Sequence, residues 1–254
     1  MKKLVITLVI VLGLLVAADL GAATVAQQQV AKQVRSQLDL PQDPSVTIRG
    51  FPFLYQAVAG DYPEVEMNAD SVALGELHDV GVGATLQHAR IPLSDVVGGN
   101  TDRLTVDQVD GRMRLKAPDV GRMIGIQNLQ INPASPQDLA AAGGSGGNGQ
   151  PVALDGSMNI AGRNLHVKVV AVLALRGGKL EIQPKSLDLA DKLDSIPLGR
   201  AFENTILQQF ATTLDTRMLP FKIEPTGVQV EPGALVVEGK ANQVAMGPDG
   251  VRTG

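Results

Sequence analysis

The 254-residue chain contains no cysteine and no tryptophan. Without cysteine it can form no disulfide and carry no lipid on a thiol, so its stability must come from a packed core. Aromatic residues make up 3% of the chain and hydrophobic residues 44%, so aliphatic side chains supply most of that core. The formal net charge of -4 argues against the broad basic surface that nucleic-acid binding requires. We therefore expect no nucleic-acid partner.

The chain begins with two lysines followed by an apolar run. Lys2 and Lys3 precede residues 4–18, and Asp19 ends the run after fifteen residues. This order is typical of a secretory signal, and small residues at 21–23 and 24–26 offer cleavage sites. An uncleaved signal-anchor is the alternative, because residues 20–38 can continue the same helix. Either outcome predicts an extracytoplasmic protein of the cell envelope or periplasm, secreted or anchored by this segment.

A glycine-rich segment divides the rest of the chain. Residues 143–149 read Gly-Gly-Ser-Gly-Gly-Asn-Gly, a composition that predicts a flexible loop over 133–151. We therefore expect a signal or anchor at 1–26, one half of a domain at 27–132, its second half at 152–246 and a disordered tail at 247–254.

Alternating apolar residues predict long strands in both halves, notably at 80–86, 109–115, 152–160 and 165–175. Residues 176–179, Arg-Gly-Gly-Lys, predict a hairpin. Helices are predicted at 20–38, at 118–125 and at 198–218, the last with an apolar stripe at every fourth residue: Phe202, Ile206, Phe210 and Leu214. The predicted fold is α+β, with a long, strongly curved antiparallel sheet wrapped around one or two helices to form an elongated apolar groove.

Three of the seven aromatic residues, Phe51, Phe53 and Tyr55, lie within five positions directly after Arg49. Pro52 interrupts the run and cannot donate a ladder hydrogen bond, so the segment is not a central strand. We expect it to turn and to drive its rings into the aliphatic interior. One interpretation is a corner that closes the core; the other is a pocket lining with Arg49 at its mouth.

Four blocks in this order resemble the LmeA-type family of actinobacterial cell-envelope proteins over about residues 20–246. They are Arg-Gly-Phe-Pro-Phe-Leu at 49–54, Ile-Pro-Leu-Ser-Asp at 91–95, Lys-Ala-Pro-Asp at 116–119 with Gly-Arg at 121–122, and Leu-Pro-Phe-Lys-Ile at 219–223 followed by Pro-Thr-Gly-Val at 225–228. The resemblance implies a membrane-associated protein that binds phospholipid, an anionic one being an option, outside the plasma membrane. It also implies a phospholipase A1 activity as an alternative.

With this resemblance, two sets of residues become candidates. The expected lipid-binding residues are Arg49, Phe51, Phe53, Leu54, Tyr55, Phe202, Ile206, Phe210 and Phe221. The expected headgroup-binding residues alternate on one strand and continue onto the short helix: Arg112, Arg114, Lys116 and Arg122. A cationic row of this kind can receive phosphate, but it is more often a solvated outer face.

The sequence shows no catalytic motif. The three histidines, His78, His88 and His166, lack the spacing of a metal site, so we expect no metal and no cofactor. Ser94 and Asp95 near His88 form the nearest hydrolytic set, but triads usually combine distant segments, and the catalytic residues stay unknown. Three functions follow as alternatives: a phospholipid-binding protein, an acyl-ester hydrolase on the same fold, and a scaffold for envelope biosynthesis enzymes.

Overall fold

A computed structural model describes residues 2–74, 77–100, 102–143, 149–160, 163–189, 200–215, 224–247 and 250–252. The chain divides into two units. Unit 1 comprises Met1–Asp70, Gly83–Gly111 and Lys240–Gly254, and unit 2 comprises Ser71–Val82 and Arg112–Gly239.

The longest described element is helix α1, Lys2–Leu38, which continues without a break from the apolar run into the helix predicted at 20–38. Its apolar side chains from Val5 to Leu15 are exposed. From Asp19 onward, every third or fourth residue is at least half-buried in unit 1, which is the pattern of a helix with one packed face. Within the described chain, the segment Val5–Leu38 is long and apolar enough to cross a membrane, as a signal sequence also is.

Unit 1 also contains two short helices, α2 (Phe53–Ala59) and α3 (Leu93–Gly98).

The first sheet has the strand order β1-β2-β3-β4-β11-β10, with β12 paired to β11. Its strands are β1 (Ser45–Arg49), β2 (Asp61–Leu74), β3 (Leu77–Arg90), β4 (Thr105–Lys116), β10 (Glu224–Glu231), β11 (Ala234–Gly247) and β12 (Gly250–Arg252). Strand β1 is antiparallel to β2, with Val46 opposite Met67.

Unit 2 contains the second sheet, an antiparallel meander in the order β5-β6-β7-β8-β9. Its strands are β5 (Gln127–Pro133), β6 (Gln150–Ile160), β7 (Arg163–Arg176), β8 (Lys179–Leu189) and β9 (Thr212–Asp215). The predicted hairpin is confirmed, because Arg176 pairs with Lys179 across Gly177 and Gly178. Both glycines have positive φ, as a two-residue type I′ hairpin turn requires. Alternate residues of β6 and β7, including Val152, Leu154, Val167 and Val169, fill the core.

The remaining helices of unit 2 are α4 (Ala117–Ile124), α5 (Pro136–Ala141) and α6 (Arg200–Phe210). The predicted short helix is confirmed by α4. The prediction of one helix from 198 to 218 is wrong, because α6 ends at Phe210 and residues 212–215 form β9 instead. Thr212 and Thr213 are β-branched, and β8 offers them a strand to pair with, which explains the switch. Ile206 and Phe210 are buried as predicted, whereas Phe221 and the side chains of Phe202 and Leu214 lie outside the described residues.

The α+β class is confirmed, with two antiparallel sheets where the sequence analysis expected one. The division of the chain at the glycine-rich segment and the apolar groove stay predictions. Strands β5 and β6 flank that segment and pair with each other, with Ile131 opposite Leu154.

Candidate functional site

Helix α2 begins within the aromatic run, at Phe53. The Phe51–Pro52 peptide bond is cis, and Pro52 directly precedes the first helical residue. The buried carboxylate of Asp19 on α1 accepts hydrogen bonds from the backbone N–H groups of Phe53, at 2.9 Å, and Leu54, at 2.7 Å. The first N–H groups of a helix have no partner within it, so Asp19 supplies the cap that Pro52 cannot.

The aromatic run divides between core and surface. Phe53 is 5% exposed, and its ring centroid lies 6.4 Å from that of buried Tyr62. Phe51 is 63% exposed and Tyr55 is 75% exposed. The prediction that all three rings enter the interior is therefore wrong, because Phe53 and Tyr55 are two positions apart on α2 and so lie on opposite faces of the helix, and Phe51 precedes the helix. Their assignment to lipid binding stays a prediction.

Arg49 is held by acidic side chains of β2. Its guanidinium donates to both carboxylate oxygens of Glu66, at 2.7 and 2.9 Å, and its Nε lies 3.1 Å from Glu64. These hydrogen bonds raise the pKa of Arg49 and lower the pKa of the Glu66 carboxyl. A lipid phosphate that binds Arg49 has to share it with Glu66.

The predicted headgroup residues of unit 2 are also paired with carboxylates. Glu231 accepts from Arg112 and Arg114, at 3.4 and 2.9 Å. The ammonium of Lys116 lies 2.7 Å from Asp79, and its hydrogen bond, followed by one from Ser71, lowers the pKa of Asp79. Arg122 pairs with buried Asp119, which also accepts the backbone N–H of Asp79. The row is therefore largely neutralised by its neighbours, and its role in headgroup binding stays a prediction.

A cavity of about 570 Å³ lies in unit 1 at the C-terminal end of α2. Its apolar wall includes Ala57, Ile91, Pro92 and Leu93, and the charged residues Asp61, Arg90 and Arg103 also line it. Neither arginine is among the site residues predicted from the sequence. The signal available in the sequence was the Ile-Pro-Leu-Ser-Asp block, which Arg90 directly precedes.

Both cavity arginines are held in place by aspartates. Asp107 accepts two hydrogen bonds from Arg90, at 2.8 and 2.7 Å, and Asp95 accepts two from Arg103. The hydrogen bonds from Arg103 lower the pKa of the Asp95 carboxyl. The side chain of Arg90 is 48% exposed and that of Arg103 is 63% exposed. A guanidinium has five N–H donors, so three remain on each arginine, and a ligand phosphate has to share each guanidinium with its aspartate, as at Arg49.

The nearest hydrolytic set is not assembled in the structure. The Ser94 hydroxyl donates to Asp95 at 3.2 Å, whereas His88 lies 3.5 Å from Asp61. No hydrogen bond joins Ser94 to His88 among the described residues, and the same residues include no cluster suited to a metal ion. The hydrolase alternative stays a hypothesis without named catalytic residues.

The comparison with protein families supports one class of ligand. Residues 17–240 match the family described as LmeA-like phospholipid-binding. The chain belongs to this family. No curated protein and no solved structure matches the chain at a significant level.

The region that matches the LmeA-like family contains most of the features described above. It includes the cavity, the aromatic run and helix α2. It also begins two residues before Asp19, so the packed half of α1 belongs to the matched region. Membership in the LmeA-like family supports phospholipid as the partner of this chain.

Proposed function

We propose that this chain is an exported cell-envelope protein that binds phospholipid in the cavity of unit 1. The lipid phosphate binds Arg90 and Arg103, and the adjoining acyl carbons contact the apolar wall of Ile91, Pro92 and Leu93. The observation that carries the proposal is the meeting of two partly exposed arginines with an apolar wall in one cavity.

The size and lining of the cavity suit this ligand. Small-molecule sites usually measure about 300 to 1,000 Å³ and combine an apolar lining with a few polar groups that orient the ligand. At about 570 Å³ the cavity accommodates a headgroup and the first acyl carbons, and the rest of each chain lies outside it. Arginine suits phosphate because its planar guanidinium donates two parallel hydrogen bonds to two oxygens.

The fixed position of the arginines supports binding. Asp95 and Asp107 hold the two guanidinium groups in place before a ligand arrives. A pre-positioned side chain loses less conformational freedom on binding, which increases the affinity that the same contacts provide. Asp61 also lines the cavity, so its charges by themselves select neither anionic nor zwitterionic phospholipids.

Export rests on the N-terminal helix. Its lysines precede an exposed apolar segment, an order that directs the following domain out of the cytoplasm. A phospholipid-binding protein outside the cytoplasm has its ligand in the adjacent membrane.

A pair of arginine variants tests the assignment of the cavity. Arg90→Gln removes a cavity guanidinium, whereas Arg112→Gln removes one from the strand row; both are half-exposed and paired with one carboxylate. Each change costs the fold about 0 to 1 kcal/mol, since exposed ion pairs contribute little. Equilibrium binding of a fluorescent phosphatidylglycerol to the full chain is then measured for each variant.

We expect Arg90→Gln to weaken binding by about tenfold, because a hydrogen bond to a charged group contributes about 1.5 to 3 kcal/mol and about 1.4 kcal/mol equals tenfold. Arg112→Gln should bind as the wild type does. The reverse outcome, with Arg112→Gln weakened and Arg90→Gln unchanged, would move the headgroup site to the strand row.

A further inference from the structure

Helix α1 changes character at Asp19. On its N-terminal side, apolar side chains such as Leu8, Leu12 and Leu15 are exposed around the helix and have no packing partner in the described structure. On its C-terminal side, the half-buried and buried residues repeat at helical spacing: Asp19, Ala22, Ala23, Ala26, Gln27, Val30, Ala31, Gln33 and Val34. The first part of α1 has the surface of a helix in lipid, and the second part is an element of unit 1.

Asp19 joins α1 to helix α2. The carboxylate is 4% exposed and accepts the N–H groups of Phe53 and Leu54. Cleavage after Ala23 or Ala26 would remove this carboxylate and leave two backbone donors at the start of α2 without a partner. The N–H group of Phe53 is buried, and a buried donor without a partner destabilises a fold, so retention of the whole helix stabilises unit 1.

An apolar surface lies beside Asp19 at the start of α2. We call Phe51, Pro52, Leu54 and Tyr55 the α2 tip; all four residues are exposed. Contiguous exposed apolar groups mark an interaction surface. Tyrosine suits the boundary between hydrocarbon and headgroups, because its ring is apolar and its hydroxyl meets water, and phenylalanine adds apolar area on the hydrocarbon side.

The length of the apolar segment places that boundary near the α2 tip. Residues 4–18 extend about 22 Å as a helix, which is shorter than the hydrocarbon core of about 30 Å. A short segment is accommodated by a thinner bilayer and by flanking groups that enter the interface. The flanking groups here are those of the α2 tip, which Asp19 holds at the end of the segment.

We propose that α1 is retained as an anchor and that the α2 tip is a docking surface for the phospholipid bilayer into which α1 inserts. Phe51, Leu54 and Tyr55 lie among the headgroups and upper acyl carbons of the leaflet next to unit 1. Asp19 is a positioning residue that fixes the tip at this depth. The proposal goes beyond phospholipid binding in the cavity. It assigns a different surface, and this surface contacts the assembled bilayer and not a single bound phospholipid.

The absence of cysteine allows a direct test by single-cysteine labelling of the full chain. An environment-sensitive fluorophore is attached to Tyr55→Cys or, as the control, to Val97→Cys in vesicles of phosphatidylcholine and phosphatidylglycerol. Val97 is also an exposed apolar residue of unit 1. It lies on α3, which ends against the Gln33 side chain, fourteen residues and about 21 Å further along α1 than Asp19.

We expect lipids with a spin label near the headgroup to quench the probe at position 55 several-fold more strongly than the probe at position 97. Iodide dissolved in the water should quench the probe at position 97 more strongly than the probe at position 55. Equal quenching of the two probes by both reagents would overturn the docking surface. An intact mass that lacks residues 1–23 or 1–26 in protein from the producing cell would overturn the retained anchor.

Variants at Asp19 test its positioning role. In Asp19→Ala the probe at position 55 should lose most of its lipid quenching, while the circular dichroism of the sheets is unchanged. Asp19→Asn should restore part of the quenching, because its amide oxygen still accepts one N–H group. Unchanged quenching in Asp19→Ala would show that Asp19 does not set the depth of the tip. Binding of phospholipid in the cavity is measured separately with Arg90→Gln, so each proposal can fail without the other.

Discussion

Replacing Phe53 by alanine should separate the buried ring of the aromatic run from its exposed neighbours. Phe53 is 5% exposed and packs near Tyr62, whereas Phe51 is 63% exposed. Truncation of a buried phenylalanine typically costs about 3 to 5 kcal/mol, because transfer energy is lost and a cavity remains. Truncation of an exposed side chain usually changes stability by less than about 0.5 kcal/mol. We therefore expect Phe53→Ala to destabilise unit 1 strongly and Phe51→Ala to leave it nearly unchanged.

The chain offers its own reporter for this measurement. It has no tryptophan and two tyrosines, Tyr55 and Tyr62. A Tyr55→Phe background makes Tyr62, which is buried beside Phe53, the only fluorescent tyrosine. Urea unfolding of the full chain in detergent micelles, followed by this fluorescence, compares Phe53→Ala with Phe51→Ala in that background. Equal shifts of the midpoint in the two variants would refute the division of the run into core and surface.

Three further predictions concern unit 2 and are measured by the same unfolding approach with circular dichroism. Phe210→Ala should cost about 3 to 5 kcal/mol, since the ring is fully buried; a neutral result would contradict its place in the core. Gly121→Ala should cost about 1 to 3 kcal/mol, because the added Cβ would lie 2.6 Å from the carbonyl oxygen of Ile126, and an equally stable variant would show that the backbone yields. The hydrogen bond from Lys168, 2.6 Å away, lowers the pKa of Asp138 to about 2 from 3.8, so the stabilisation is complete above about pH 4 and is lost as the pH falls toward 2. Asp138→Asn should therefore be less stable than wild type at pH 7 by up to about 2 kcal/mol and match it near pH 2, whereas a gap independent of pH would contradict the role of the charge.

Local signals in the sequence predicted local structure well. Two glycines between long alternating strands predict the hairpin that joins β7 and β8, because the turn chemistry is contained in its own four residues. Pro118 and Gly125 likewise mark the ends of α4 within one residue. The stripe of Ile206 and Phe210 predicts which side of α6 is buried, but it did not reveal where the helix ends. That end depends on pairing with β8, a partner the helical pattern does not contain.

The candidate site depends on contacts between distant residues, which is why sequence reasoning missed most of it. Asp19 caps a helix that begins 34 positions later, and nothing near Asp19 indicates that partner. Arg90 donates hydrogen bonds to Asp107, which lies 17 positions later on the next strand. The cationic row was visible as a pattern, but the acidic side chain of Glu231 that neutralises part of it lies more than a hundred positions away. The ligand class was indicated by the blocks that resemble the LmeA-type family, whereas the site depends on contacts that no block contains.

The central claim is that unit 1 binds phospholipid in its cavity, and the most direct measurement is lipid mass spectrometry of the purified full chain. Protein and an isolated peptide of residues 1–38 are washed in the same detergent and extracted with organic solvent, so that lipid held only by the apolar helix is measured separately. We predict that the full chain retains phospholipid in a molar amount comparable to the protein, that the peptide retains little, and that Arg90→Gln loses most of it. Equal retention by the full chain and the peptide, or full retention by Arg90→Gln, would contradict a phospholipid site in this cavity.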